Sequence, residues 1–162
     1  KEMAEEGPSV ISRAVSIAAI KYSILKQALG SDIIFDFEKS ISFDGDSGPY
    51  LQYSATRAKS VIAMALAAGM KEGIEGRGEV TELEKRLYRF PEVVLRAKEE
   101  HEPHYLVTYL TELSSAFNTF YAGNQIVGDQ PEHIYRLSVT MAFAQVLQRG
   151  LWLLGISVPE RM

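Results

Sequence analysis

At 162 residues and 18.1 kDa, with 46% hydrophobic and 23% charged side chains, the chain has the size and balance of about one globular domain. The absence of cysteine removes disulfides, thiolate metal sites and thiol catalysis, and no apolar run reaches the roughly 18 residues of a membrane span, since Arg13 and Lys21 break the longest. The net charge of −4 argues against loose electrostatic adhesion to nucleic acid, yet residues 49–98 hold nine basic and six acidic side chains, compatible with a few placed phosphate contacts or with ordinary solvated helix faces.

The start, Lys1 to Gly7, is acidic and lacks the basic region of a signal peptide. An opening Lys reads as a piece of something longer. The expectation is a soluble, intracellular domain. After Gly7-Pro8, Ile11, Val15, Ala18, Tyr22, Leu25 and Leu29 recur at spacings of 4, 3, 4, 3 and 4, one face of a helix that Gly30 is placed to end. Residues 33–37, Ile-Ile-Phe-Asp-Phe, read as extended, and Phe43 to Pro49 as a loop in which Asp44 and Asp46 serve local turn hydrogen bonds. Ser47 or Gly48, followed by Pro49, opens a second helix with the stripe Leu51, Ala55, Ala58, Ile62, Ala65, ending at Gly69.

Gly73, Gly76 and Gly78 mark a joint. Thr81 to Glu84 then forms a capping box at the head of the next helix, and Pro91 starts another. Pro103 begins a fifth with Leu106, Leu110, Leu113, Phe117 and Phe120. Pro131 begins the last, with Ile134, Leu137, Met141, Ala144, Leu147, Leu151 and Leu154, stopped by Gly155. Only seven charges fall in residues 103–162, so the last two helices are expected at the centre. The fold class is all-α: a helical bundle preceded by a short helix and an extended linker segment. Residues 1–46 form the connecting segment and 47–162 the helical domain.

The sequence offers few groups suited to catalysis or metal binding. The glycines at 69–78 lack the Lys-Ser/Thr of a phosphate loop. His101 and His104 share a helical spacing, but Pro103 between them makes a helix start rather than a metal pair. No catalytic residue and no metal or cofactor site is expected in this chain. One stretch departs from a plain bundle. On a helix from Pro49, Tyr50, Tyr53 and Arg57 rise one turn above another, off the apolar stripe. Two aromatic faces with a guanidinium suit an unstacked RNA base, although on pattern alone the tyrosines fit better as edges of the core.

Gly48-Pro49-Tyr50-Leu51-Gln52-Tyr53 with Arg57 resembles the start of the anticodon-binding domain of the arginyl-tRNA synthetase family. Upstream, Ala19-Ile20-Lys21-Tyr22 and Phe35-Asp36-Phe37 fit the same resemblance. Downstream, so do His101-Glu102-Pro103-His104, Phe117-Asn118-x-Phe120-Tyr121 and the closing Pro159-Glu160-Arg161-Met162. Asp46-Ser47 stands where the family usually has Asn-Thr, and Gly123-Asn124-Gln125 sets apart the loop at 122–130.

The family joins arginine to its tRNA with ATP. The resemblance implies that this chain is its tRNA-binding part, acting beside the catalytic domain of the same chain, in the cytoplasm, as a monomer and away from membranes. It implies that the two nucleotide-binding signatures, of the His-Ile-Gly-His and Lys-Met-Ser-Lys kinds, lie upstream of Lys1. The residues implied at the anticodon are Tyr53, Arg57, Asn118, Tyr121 and Met162. Arg57 is placed on phosphate, Tyr53 and Tyr121 on bases, and Met162 on apolar base surface. A helical protein-interaction domain that does not read RNA is the alternative.

Overall fold

The computed structural model describes residues 8–162, so the acidic start at 1–7 lies outside the described residues. Seven helices follow in order: α1 (Pro8–Leu25), α2 (Phe37–Ser40), α3 (Gly48–Ala67), α4 (Glu82–Tyr88), α5 (Phe90–Glu100), α6 (His104–Gly123) and α7 (Pro131–Leu153). There is no strand among the described residues. The fold is an all-α bundle. None of its helices is long and apolar enough to cross a membrane.

Local chemistry sets most of the boundaries. The Ser47 hydroxyl accepts from the Tyr50 amide at 3.1 Å and Pro49 lies in the first turn of α3, so the helix starts where its first amides are satisfied or absent. At the other end Gly69, at φ +79°, lets the amides of Gly69 and Met70 return to the carbonyls of Leu66 and Ala65. The capping box at Thr81 and Glu84 is present in full.

The N-terminal segment differs from the sequence reading at three places. The first helix stops at Leu25, and Gly30, though left-handed at φ +82°, turns the chain five residues later. Leu29 continues the apolar spacing but is 68% exposed, so no burial holds that turn in a helix. Phe37 does not continue an extended run; Asp36 caps the Lys39 amide at 3.1 Å and opens the short α2. Asp46, expected to bond locally, reaches α1, where it accepts from the Tyr22 hydroxyl and pairs with Lys26 at 3.1 Å. Tyr22 is buried, and its hydroxyl needs an acceptor that the helix does not supply.

Helices α6 and α7 form the centre. α6 packs on α1, α3, α4, α5 and α7, and α7 packs on α3, α4 and α6. Phe117 and Phe143, both wholly buried, stack with centroids 3.9 Å apart and planes 8° from parallel, joining the two helices at mid-length. Gly48 permits close crossing of α1 and α3, because a Cβ there would press into the Ala18 carbonyl. Through that crossing Ala18 and Tyr22 of α1 enter the same core as Leu51 and Ala55.

The Glu84 carboxylate also ties α4 to α7. It accepts from the Thr81 amide and hydroxyl, both at 2.8 Å, and from the Tyr135 hydroxyl. Partial burial pushes this carboxyl up, but the Tyr135 and Thr81 hydrogen bonds outweigh it and hold it below the ordinary glutamate range. A carboxylate with a depressed folded pKa contributes stability above its unfolded value near ~4.3, and that stability is lost as pH falls through the folded value. Urea unfolding at several pH values between about 5 and 3 should therefore show a shallower loss of stability in Glu84→Gln than in the parent. Equal slopes would exclude this carboxylate from the acid response.

Candidate functional site

Tyr53 and Arg57 lie one turn apart on α3, and Asn118 and Tyr121 lie near the end of α6, the helix against which α3 packs. The Arg57 guanidinium is the hub. Its Nη1 donates to Asn118 Oδ1 at 2.8 Å and its Nη2 to the Tyr53 hydroxyl at 2.6 Å. The same guanidinium lies 4.5 Å from the centre of the Tyr53 ring and 5.4 Å from that of Tyr121. A cation facing two aromatic rings gains quadrupole attraction from both, and two directed hydrogen bonds fix its orientation.

Asn118 has little capacity left over. Its Nδ2 donates to the Tyr50 hydroxyl at 2.9 Å and to Ser54 Oγ at 3.3 Å, while Oδ1 takes the arginine. Its amide therefore cross-links α3 to α6 and positions Arg57. Arg57 itself uses two of its five N–H groups in these bonds and keeps three for a ligand. The rings are held from outside as well. Phe43 meets Tyr53 edge-on at 6.4 Å, and the core ring of Phe117 lies 6.1 Å from Tyr121.

The structure thus brings four of the five expected residues into one network and leaves the fifth outside it. Met162 is 39% exposed at the end of the chain. The preceding tail is held where Gln52 Nε2 donates to the Ser157 carbonyl at 2.7 Å and Lys21 to the Gly155 carbonyl. Tyr50 is the residue the sequence placed beside the site without a role. Its spacing on α3 was visible, but its partner Asn118 lies 68 residues away.

The surface is amphipathic: Tyr121 is 37% exposed, Tyr53 and Arg57 are half-buried, and the donors outside the network belong to a permanent cation. The site offers flat stacking faces and N–H groups without a nucleophile. The histidines do other work. His101 ends α5 in a left-handed conformation at φ +58°, and His104 Nδ1 lies 2.8 Å from Glu102, which also accepts the Leu29 amide.

Residues 51–162 match the DALR anticodon binding domain. Over nearly its whole length, 99%, the chain is 32% identical to the arginine–tRNA ligase of Pyrococcus furiosus and 36% identical to that of Pyrococcus abyssi, spanning 27% of each of those proteins. The Thermus thermophilus arginyl-tRNA synthetase superposes on 98% of the chain with a TM-score of 0.83 and 31% identity, this chain covering 28% of that one. A Campylobacter jejuni structure described as a putative arginyl-tRNA synthetase, at 23% identity and TM-score 0.79, shares the fold.

Proposed function

Since the chain belongs to the DALR anticodon binding domain family, we propose that it binds the anticodon stem-loop of an arginine tRNA and serves as the tRNA-holding part of an arginine–tRNA ligase. The observation that carries this reading is the Arg57 guanidinium held between the rings of Tyr53 and Tyr121 on a half-exposed surface. Unstacked loop bases need aromatic faces, and the backbone that splays them needs a cation. Tyr121 offers its exposed face to a base, Arg57 directs its remaining N–H groups to phosphate, and Met162, outside that network, offers polarizable apolar surface to a base of its own. Asn118 acts through Arg57.

The division of labour follows the sequence boundary, with residues 47–162 for RNA and 1–46 as the connection to the catalytic domain. An apolar surface supports that connection. Ile20 and Ile24 on α1, and Ile33, Ile34, Phe37 and Phe43 beyond it, are all exposed, with Ile34 at 80% and Phe37 at 66%. A lone domain rarely exposes so many large apolar side chains within one stretch of sequence. We assign this face to the rest of the ligase, where activation of arginine with ATP takes place, and the whole to the cytoplasm. An exposed apolar face with Tyr53 and Tyr121 both buried would favour the alternative, a helical interaction domain without RNA reading; the apolar face is there, but Tyr121 is 37% exposed.

Titration of a fluorescent arginine-tRNA anticodon hairpin across a range of salt concentrations tests the reading. Binding should be weak and salt-sensitive, with a slope of log K against log salt near −0.7 for each single-strand phosphate neutralised. A slope of zero would exclude phosphate contacts by Arg57.

A further inference from the structure

A second surface, away from the tyrosine–arginine cluster, has features that RNA binding does not use. Helices α5 and α7 both pack on α6, and between them lies an open groove of about 430 Å³. Val94 and Leu95 line it from α5, and Trp152 and Leu153 from α7. Its apolar walls are open to solvent, with Trp152 at 75%, Leu95 at 51% and Leu153 at 47% exposure. Trp152 is the chain's only tryptophan. It lies beside the stripe of Leu147, Leu151 and Leu154 that faces the core, so the bundle gains nothing from its ring.

The charges of the groove indicate what would cover it. Lys98 and Arg149 stand at its edge, both exposed and without an ion pair or hydrogen bond among the described residues. The basic residues before Lys98 are paired, Arg89 just ahead of α5 with Glu92 at 3.5 Å and Arg96 on α5 with Glu100 at 2.8 Å. Arg149 is also the only charged residue between Leu137 and Leu154. Two unpaired cations flanking a strip of aliphatic and indole surface complement a helix with apolar anchors at i, i+3 or i+4 and i+7 and carboxylates along its flanks. RNA would meet the cations but would leave the aliphatic walls unused.

We infer that the groove between α5 and α7 is a docking site for an acidic amphipathic helix of another protein segment, with Trp152 as its apolar anchor and Lys98 and Arg149 as its charge readers. Occupancy buries Trp152, so tryptophan emission, excited apart from the tyrosines, reports on the groove.

The probe is a synthetic helical peptide with leucines at the anchor spacing and glutamates on the flanks, compared with the same peptide carrying lysines for glutamates. Saturable blue-shift of Trp152 emission by the acidic peptide is expected. Lys98→Glu and Arg149→Glu, both surface changes that leave the core intact, should each weaken it about fivefold or more. Circular dichroism confirms that each variant is folded. Three results would overturn the inference: no shift by the acidic peptide, equal binding of the two peptides, or a blue-shift insensitive to both reversals. An RNA hairpin that perturbs Trp152 in a manner dependent on Lys98 and Arg149, while the acidic peptide does not, would assign the groove to RNA instead.

Discussion

Replacing Phe143 with alanine is expected to cost about 3–5 kcal/mol of folding stability, the largest loss from a single substitution in this chain that we anticipate. Its ring is wholly buried and stacks at 3.9 Å on Phe117, which is buried as well. The substitution removes the transfer free energy of the ring, leaves a cavity between the two central helices, and breaks an aromatic pair. For a domain of this size the melting temperature should fall by roughly 10 °C. Trp152→Ala supplies the contrast. It deletes a larger side chain, yet one that is 75% exposed, and should shift stability by no more than about 0.5 kcal/mol. Thermal melts followed by circular dichroism decide the matter. Comparable losses in the two variants would mean that the core does not centre on α6 and α7. Phe117 also lies 6.1 Å from Tyr121, so the Phe143 cavity should loosen the candidate site along with the core.

Arg57→Ala should weaken binding of the anticodon hairpin by roughly 10- to 100-fold, the range expected for hydrogen bonds to a charged group. The guanidinium orients Tyr53 through its hydroxyl, faces Tyr121, and has three N–H groups outside these two bonds. Its removal therefore takes away a phosphate contact and the alignment of two rings together. The salt slope should become shallower by about 0.7–0.9. Arg57→Lys should restore little, because an ammonium cannot bridge Asn118 and Tyr53 in one plane while still facing two rings. Full rescue by lysine would reduce the role of this residue to that of a point charge.

Much of this architecture was legible because turn chemistry punctuates the chain. Pro49, Pro103 and Pro131 stand within a residue or two of helix starts, Gly69 and Gly155 follow helix ends, and the Thr81–Glu84 box announces α4. Such signals act within a few residues and can be read locally. The failures are of the opposite kind. Apolar spacing runs on to Leu29, and only the lack of a neighbour to bury it ends α1 at Leu25. α2 has four residues, too few to show a period. Asp46 sits among turn residues yet bonds to Tyr22, a choice made by tertiary burial.

The candidate site divides in the same way. Tyr53 and Arg57 are four apart and their pairing is readable on a helix. The Arg57–Asn118 bond spans 61 residues and depends on how α3 docks on α6. The groove at Trp152 left a signal that the apolar stripe concealed: Trp152 and Leu153 fall off the line of Leu147, Leu151 and Leu154.

If the bundle distinguishes anticodon bases, as we propose, a low-salt titration against arginine tRNA and against the same tRNA with its middle anticodon base changed, each repeated with Tyr121→Ala, will show it most directly. Stacking contributes about 1–3 kcal/mol for any base, so Tyr121→Ala should lower affinity for both tRNAs, while the base change should weaken binding through lost hydrogen bonds to the base edge. Equal binding of both tRNAs, unaffected by Tyr121→Ala, would contradict the account and leave a domain that holds the shape of the tRNA without reading it.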